Sequence, residues 1–488
     1  MGFAFNSKGT TTPPEVFKWK LFWVIVTAVG GSVIFGYDLA FIGGVFSLPS
    51  FIERFKLASE NSSAIQAHMV NTFQGGAFFG VMMFYYFNER FGRRVALIAA
   101  GCVFNLGVVM QVACHGNIPV FYVGRFVSGL GIGGTTFVIP QYLSECAPAA
   151  ARGGIVGCFE IGVQIGTIIG FWINYGVEKT WFIPITIQFI PATLMIVGLL
   201  FLCESPRWYY TRGRREQAQR SLIWLRQLPA EHPYVAGELS DYEEQVEHEL
   251  LVTSSSGFRA NSTGINAMYN FSVTFQVIGF QGSSAKLFST GIYGIVKGAV
   301  ATITFLFLVD RFGRRPLLFV GSVMCAFSMY YVAAYTSITN SFDTSQPQNA
   351  ASNSAAAFIY IFGAGYVSHR LESPLDHRSR DLRTRVRSFC MVMTTCFHWL
   401  GEFYTAYAIT YMFDNITYGT FLFFGSTTVL GAIYMYFLVP ETNGVPLEDM
   451  DTLFEMRGLA TQKMRAYGEV RAGRVIDGKD VGDTGSLA

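Results

Sequence analysis

Glu89-Arg90-Phe91-Gly92-Arg93-Arg94 and Asp310-Arg311-Phe312-Gly313-Arg314-Arg315 are two copies of one phrase in a 488-residue chain. Each follows a long apolar run and precedes another, so each reads as a tight charged loop joining two membrane-spanning helices. An acid opens the phrase, three guanidinium groups follow, and the glycine permits a sharp reversal that a bulkier residue resists. Short positive-inside loops are rich in Arg without being related. A six-residue near-identity in the same context indicates internal duplication instead, and hence two related halves.

Composition agrees. Hydrophobic residues make up 51%, charged residues 14%, and mean hydropathy is +0.35, which excludes an ordinary soluble enzyme and indicates a polytopic membrane protein. A formal charge of +2 gives no electrostatic case for nucleic acid. No GxxxxGK[ST] loop points to ATP-driven pumping, and no nucleophile, base and orienting group converge in an enzyme motif. The eight cysteines lie in apolar segments without metal-ligand spacing, so neither a metal nor a cofactor is expected.

The all-α reading divides the chain into a polar tail (1–20), a six-helix bundle (21–203), a linker (204–260), a second bundle (261–438) and a tail (439–488). The first bundle offers spans at 21–44, 68–88, 95–114, 118–139, 153–176 and 181–203, each near the ~20 residues that cross a bilayer. In the second, 287–309, 316–336, 386–411 and 417–438 are convincing. The seventh and tenth spans are truncated or disrupted, represented by short runs at 261–280 and 354–367. Ser240 to Leu250 is rich in acids at helical spacing and reads as part of a helical linker. Basic clusters fall on alternate loops, which makes that face cytoplasmic, with both termini on it. The opposite face carries the sequon Asn61-Ser62-Ser63, a candidate glycosylation site.

Further phrases recur along the chain: Phe35-Gly36-Tyr37-Asp38; Gly124-Arg125-Phe126; Gly129-Leu130-Gly131-Ile132-Gly133; Pro140-Gln141-Tyr142-Leu143-Ser144-Glu145; Arg152-Gly153; Glu204-Ser205-Pro206-Arg207-Trp208; Gly264-Ile265-Asn266-Ala267; and Pro440-Glu441-Thr442-Asn443-Gly444. With the two repeated loops they make the chain, from about residue 20 to 455, resemble the sugar porters of the major facilitator superfamily, most of all the fungal branch that includes quinate permeases. The resemblance implies twelve helices in two bundles around a midplane site, with alternating access by rocking of the halves. It also implies a protein of the plasma membrane that works as a monomer.

Physical chemistry supports transport separately. Asp38 lies inside an apolar span, where an ionised carboxylate is costly unless paired or hydrated. Arg125 begins another span of the same half, and pairing would offset both desolvation penalties. A purely structural ion pair is the alternative. Of the two, only Asp38 exchanges a proton at accessible pH, and the resemblance makes it the proton site of symporting members. The glycines from Gly129 to Gly134 read as close helix packing. Glu89, Arg90, Gly92, Arg93, Arg94, Glu145, Arg152, Glu204, Arg207, Asp310, Arg311, Gly313, Arg314 and Arg315 stand at helix ends, where ion pairs can lock one orientation and break in the other; the resemblance implies a cytoplasmic gate. Topology signalling explains the arginines but not the acids.

By resemblance, Glu160 stands where the family places a glutamine on the fifth span, with Gln164 one turn later on the same face. Asn266 matches a sugar-contacting asparagine and Trp399 an aromatic of the eleventh span; Glu402 and His398 stand where amides are common. An ionised Glu160 repels a quinate-like anion, so either Glu160 carries a proton or the substrate is neutral. The expected function is secondary transport of a monosaccharide or quinate-like polyol, by proton symport. A facilitated-diffusion uniporter, a nutrient sensor and an inactive copy are the rivals.

Two departures set this chain apart from the resemblance. Before Gly264, Gly257-Phe258-Arg259-Ala260-Asn261 replaces half of the seventh span and a glutamine pair. After the tenth, Ser368 to Arg383 is a charged string where the family has Pro-Trp-Ile and Glu-Ile-Phe-Pro. Leu375-Asp376 written CTG-GAT-C reads TGG-ATC, Trp-Ile, one nucleotide later, and Arg380-Asp381-Leu382 written CGA-GAT-CTT-C yields Glu-Ile-Phe under the same shift. Charged residues at a span centre cost about 2.5–3.5 kcal/mol each on insertion scales, so this string does not cross. The sequence therefore predicts a shortened or broken tenth helix, its apolar run limited to Ala355–Val367, running into a cytoplasmic coil, and a seventh helix lacking its first half. Sequencing the transcript across both segments is expected to restore the two phrases in frame; a transcript that encodes the charged string as written would indicate a decayed copy.

Overall fold

The computed structural model describes residues 13–57, 62–148, 151–177, 180–240, 242, 283–341, 349–369, 384–438 and 459–476. In the first half, Trp19–Val45, Ser62–Phe91, Arg93–Val112, Ile118–Cys146 and Arg152–Gly176 are the first five spans, and Phe182–Ile187 with Phe189–Leu200 forms the sixth. In the second, Ser283–Ile303 is the eighth, Arg314–Ile338 the ninth, Ala350–His369 the tenth, Thr384–Ile416 the eleventh and Gly419–Leu438 the twelfth. All regular structure among the described residues is helical. Large apolar side chains such as Leu194, Phe201, Phe307 and Leu430 are left exposed, while polar ones such as Asp38, Gln111 and Arg125 are buried. That inversion is what a lipid solvent requires.

Several boundaries differ from the sequence reading for identifiable reasons. The fourth span does not stop before Pro140 but runs on to Cys146, and these two or so extra turns carry Glu145 into a polar network at the helix end. The sixth breaks at Gln188, three residues before Pro191, whose missing N–H and bulky ring interrupt the hydrogen-bond ladder there. The eighth widens into a π-helical stretch at Thr304–Leu308 just before the second charged loop.

The described tenth helix, Ala350–His369, is 20 residues against the 13 of its apolar run. Its extra N-terminal turn comes from a reciprocal cap, in which the Ser352 N–H donates to Asn349 Oδ1 at 2.9 Å and the Asn349 N–H to Ser352 Oγ at 3.1 Å. The charged string beyond it, the seventh span and Asn61 lie outside the described residues.

Glycine sets the spacing within the first bundle. A methyl group added to Gly76 or Gly80 of the second span would strike the carbonyls of Phe126 or Leu130, and one on Gly129 or Gly133 of the fourth would strike those of Phe73 or Ala77. Both helices thus use a Gly-xxx-Gly stripe to bring backbones into contact. Gly131 meets the third span at Ala100 and Phe104, so the glycine run is a two-sided packing surface. The first and fifth spans repeat the device with Gly36 against Val163 and Gly166 against Val33. The halves meet where the second span runs along the eleventh, with His68 near Tyr407 and Gly75 near Phe403, and where Gly291, Gly294 and Gly298 of the eighth lie on Trp172, Phe171 and Ile168 of the fifth.

Overpacking a close helix contact costs typically ~1–3 kcal/mol and more where backbone must move. Gly133→Leu is therefore expected to lower the melting temperature sharply or abolish a monodisperse detergent-purified species. Gly176→Ala, with open space around it, should melt like the wild type. Fluorescence-detected size exclusion with a thermal ramp makes the comparison.

Candidate functional site

The intramembrane charge pair is formed as its chemistry demands. Arg125 donates through Nη1 to Asp38 Oδ1 at 2.8 Å and through Nη2 to Oδ2 at 3.2 Å, a bidentate geometry with both side chains 1% exposed. The guanidinium carbon also stands 4.2 Å from the centre of the Phe73 ring, and its Nε donates to the Met69 carbonyl. Charge, π-face and carbonyl together satisfy a cation that has no water.

At one end of the bundle the first charged loop is locked by acids from elsewhere in the chain. Arg93 donates through Nε to Glu145 Oε2 at 2.9 Å and through Nη2 to Oε1 at 3.0 Å, and Glu89 lies 3.6 Å from its Nη1. Ser205 Oγ donates to the same Glu145 carboxylate at 2.5 Å, and Gln141 joins it to Asn88. Glu204 accepts from the backbone N–H groups of Arg93 at 2.8 Å, Arg94 at 3.0 Å and Ser205 at 2.9 Å, capping the start of the third span with its carboxyl. Burial pushes that carboxyl above its ordinary pKa, against the pull of the N–H donors. Gly92 has φ +101°, and a β-carbon there would collide with Glu204, so the loop needs glycine for two reasons.

The second loop repeats the construction. Gly313 again has φ +82°. Arg94 donates to the Leu199 and Leu200 carbonyls at the C-terminus of the sixth span, both at 2.7 Å, and Arg315 donates to the Tyr436 carbonyl in the last turn of the twelfth at 2.5 Å. The last arginine of each phrase therefore serves the orphan carbonyls of its own half's final helix. Arg90 and Arg311 are exposed, each beside the phenylalanine of its own phrase. Asp310 and Arg314 occupy the corresponding helix ends. Arg152 opens the fifth span, and Arg207, second in the helix Pro206–Thr211, adds positive potential at Glu145. Between described side chains the ion pairs all fall at or before Glu238, within the first half and linker, so a lock between halves is not among them.

Of the substrate candidates, Gln164 donates to Glu160 at 2.7 Å one turn away, leaving its own Oε1 without a hydrogen-bond partner among the described residues. Trp399 is fully buried between the halves, edge-on to Phe35 at 5.5 Å and Phe73 at 6.2 Å, with its N–H to Thr136. It is therefore a cross-half contact, not a membrane-surface anchor. Asn266 lies outside the described residues.

Known proteins place this geometry. The family model described as "Sugar (and other) transporter" matches residues 23–454. The chain belongs to the sugar transporter family. A protein named probable quinate permease from Aspergillus fumigatus is 36% identical over 484 residues, covering 91% of this chain and 89% of its own. The quinate permease of Emericella nidulans is 35% identical over 510 residues, covering 97% and 96%. Among solved structures, the partially occluded inward-open xylose transporter XylE of E. coli superposes with a TM-score of 0.70 at 22% identity, covering 88% of this chain and 100% of that one. This is the fold of a multi-pass major facilitator transporter, and the relatives are permeases, not enzymes.

Two features of the transporter escaped the sequence reading. Arg226 of the linker helix Arg215–Arg226 is fully buried, donates to both oxygens of Glu238 at 2.8 Å and to the Cys146 carbonyl at 2.9 Å, and clasps the linker onto the fourth span. Burial opposes its charge, but Glu238 outweighs burial and holds its pKa above arginine's ordinary value. In sequence it is one arginine among many. Lys297, by contrast, was visible as a lone cation in an apolar span, where insertion costs about 2.5–3.5 kcal/mol; it is 3% exposed, with Nζ 5.5 Å from the Tyr366 ring.

Removing one partner of a buried pair costs about 3–5 kcal/mol, whereas replacing both by apolar groups is often nearly neutral. Glu145→Ala should accordingly depress the melting temperature markedly, and Arg93→Met combined with Glu145→Leu should recover most of the loss. A double-mutant cycle in detergent checks this; equal loss in the single and double variants would show that the network is not organised around the pair.

Proposed function

We propose that this chain carries a polyhydroxylated small molecule, a monosaccharide or quinate-like cyclic acid, across the plasma membrane by proton symport, with the basic loops and both termini on the cytoplasmic face. The carrying observation is the Asp38–Arg125 pair, fully buried and joined through Phe73 to Trp399 of the opposite half. Protonating Asp38 discharges one side of the pair and leaves Arg125 to its π-face and carbonyl contacts. The balance of interactions at the contact between halves then changes with the proton. The names of the relatives, quinate permease and proton:xylose symporter, support the substrate class and the coupling. The helix-end network serves as the cytoplasmic gate: its carboxylates hold the third, fourth and sixth spans as one body that rocks against the second half. Glu160, Gln164 and Trp399 serve the substrate, and the resemblance assigns Asn266, outside the described residues, to the same role.

The test is radiolabelled uptake of glucose, xylose and quinate by the full-length chain in a host lacking its own carriers. Uptake should rise with external acidity, collapse with a protonophore, and lose accumulation in Asp38→Asn while equilibrative exchange persists. Uptake indifferent to both protonophore and Asp38→Asn would leave facilitated diffusion.

A further inference from the structure

The second span carries an exposed stripe that ends in a charge. Phe79, Met82 and Tyr86 recur at helical spacing, are all exposed, and share one face with Arg90, about three turns beyond Phe79. At 1.5 Å per residue the stripe is about 16 Å long, close to half of a hydrocarbon core of about 30 Å. It offers apolar and aromatic surface through one leaflet and a guanidinium where the headgroups begin. Arg90 is held on the stripe by its own helix, its Nη1 donating to the Tyr86 hydroxyl at 3.0 Å.

Two more guanidinium groups reach the same corner from the linker. Arg212 donates to the Glu89 carbonyl, as does the Trp208 indole N–H at 3.1 Å, and Arg212 and Arg214 stand 5.9 and 6.0 Å from the centre of the Trp208 ring. Arg90, Arg212 and Arg214 are all exposed, and none is ion-paired with a carboxylate among the described residues. The acids nearby are committed elsewhere: Glu89 and Glu145 to Arg93, Glu204 to the start of the third span, and Glu216 to Arg220. Topology signalling uses only the charge of such arginines. It does not require a loop and a linker segment 123 residues further on to bring three of them around one tryptophan.

We propose that Arg90, Arg212 and Arg214 form a headgroup site for an anionic glycerophospholipid whose acyl chains lie along the Phe79–Met82–Tyr86 stripe. Guanidinium forks match phosphate oxygens, and their summed charge selects an anionic lipid over a zwitterionic one with the same tails. The stripe selects a lipid over a free phosphate, because only the lipid has chains to lay on it. A headgroup bound there bridges the second span and the linker, reinforcing the two bonds to the Glu89 carbonyl that already join them. The second loop supplies an internal comparison: Arg311 is exposed beside Phe312 as Arg90 is beside Phe91, but no linker arginine reaches that loop among the described residues.

The experiment titrates the full-length chain, purified in detergent, with phosphatidylserine, with phosphatidylcholine of the same acyl chains, and with glycerophosphoserine, the same headgroup without chains; thermal stabilisation gives the apparent affinity of each. Phosphatidylserine should stabilise wild type at concentrations where the other two have no effect. Arg90→Gln, Arg212→Gln and Arg214→Gln should each weaken it by about fivefold and the triple variant by at least about thirtyfold, whereas Arg311→Gln, which removes the same charge from the equivalent loop, keeps the wild-type affinity. The site is overturned if wild type does not prefer phosphatidylserine to phosphatidylcholine, if the triple variant retains the preference, or if Arg311→Gln weakens binding as much as Arg90→Gln, which would mean diffuse charge alone. Equal stabilisation by glycerophosphoserine would overturn it too, in favour of a soluble phosphate ligand. Should the triple variant fail to fold, Arg214→Gln against Arg311→Gln decides. Because the readout is lipid binding, failure of symport leaves the site standing, and loss of the site leaves the transport reading untouched.

Discussion

A guanidinium in hydrocarbon has to be met by a carboxylate at hydrogen-bond distance, and the first half of this transporter is assembled around two such encounters. Arg125 with Asp38 ties the fourth span to the first at depth, and Arg93 with Glu145 ties the third to the fourth at the helix end. Neither pair is a source of great net stability, since desolvation consumes most of the attraction. What they impose is registry: each is bidentate, and a slip of one residue would strand a buried charge. The Gly76, Gly80, Gly129 and Gly133 contacts, which allow almost no gap between the second and fourth spans, fix the fourth span's register against a third neighbour by sterics.

The duplication carries this argument further than a shared motif does. In both halves the phrase glycine adopts a positive φ and the last arginine reaches the terminal carbonyls of the half's final helix. Those carbonyls lie in the last turn of each helix, where ladder donors run out, so the arginine closes each half's last helix onto the loop between its second and third. The halves then diverge in use. The first devotes its buried charges to the two pairs, whereas the interior of the second carries Lys297 and Glu402, both buried in spans. The repeat thus keeps its structural arginine while the interior charges of the two halves differ.

Legibility followed the physics of each feature. The repeated loops, the Asp38–Arg125 pairing and ten of the spans were readable because hydropathy and intramembrane charge are strong local signals. The fourth helix runs past the apolar span at 118–139 to Cys146 because its last turns are polar, and so it delivers Glu145 to Arg93. The tenth helix begins ahead of its apolar run because the Asn349–Ser352 cap adds a polar turn, which hydropathy does not register. Arg226 had no signal at all: what distinguishes it is Glu238 and the Cys146 carbonyl, and neither contact is encoded in spacing.

The position of Trp399 bears on how a proton at Asp38 could be felt by the second half. Arg125 is stacked on Phe73, Phe73 meets the Trp399 edge, and Trp399 hydrogen-bonds Thr136 on the same helix as Arg125. The tryptophan therefore touches the ion-pair helix by two routes, one aromatic and one polar, and it belongs to a helix of the opposite half. When the carboxylate is neutralised, the guanidinium loses its strongest anchor and keeps the Phe73 face and the Met69 carbonyl of the second span as its nearest partners, with the Phe41 ring of the first span farther off at 5.9 Å. That span is the one lying along the eleventh. A change of charge at Asp38 would thus reach first the helix that makes the cross-half contact, as the proposed proton coupling requires.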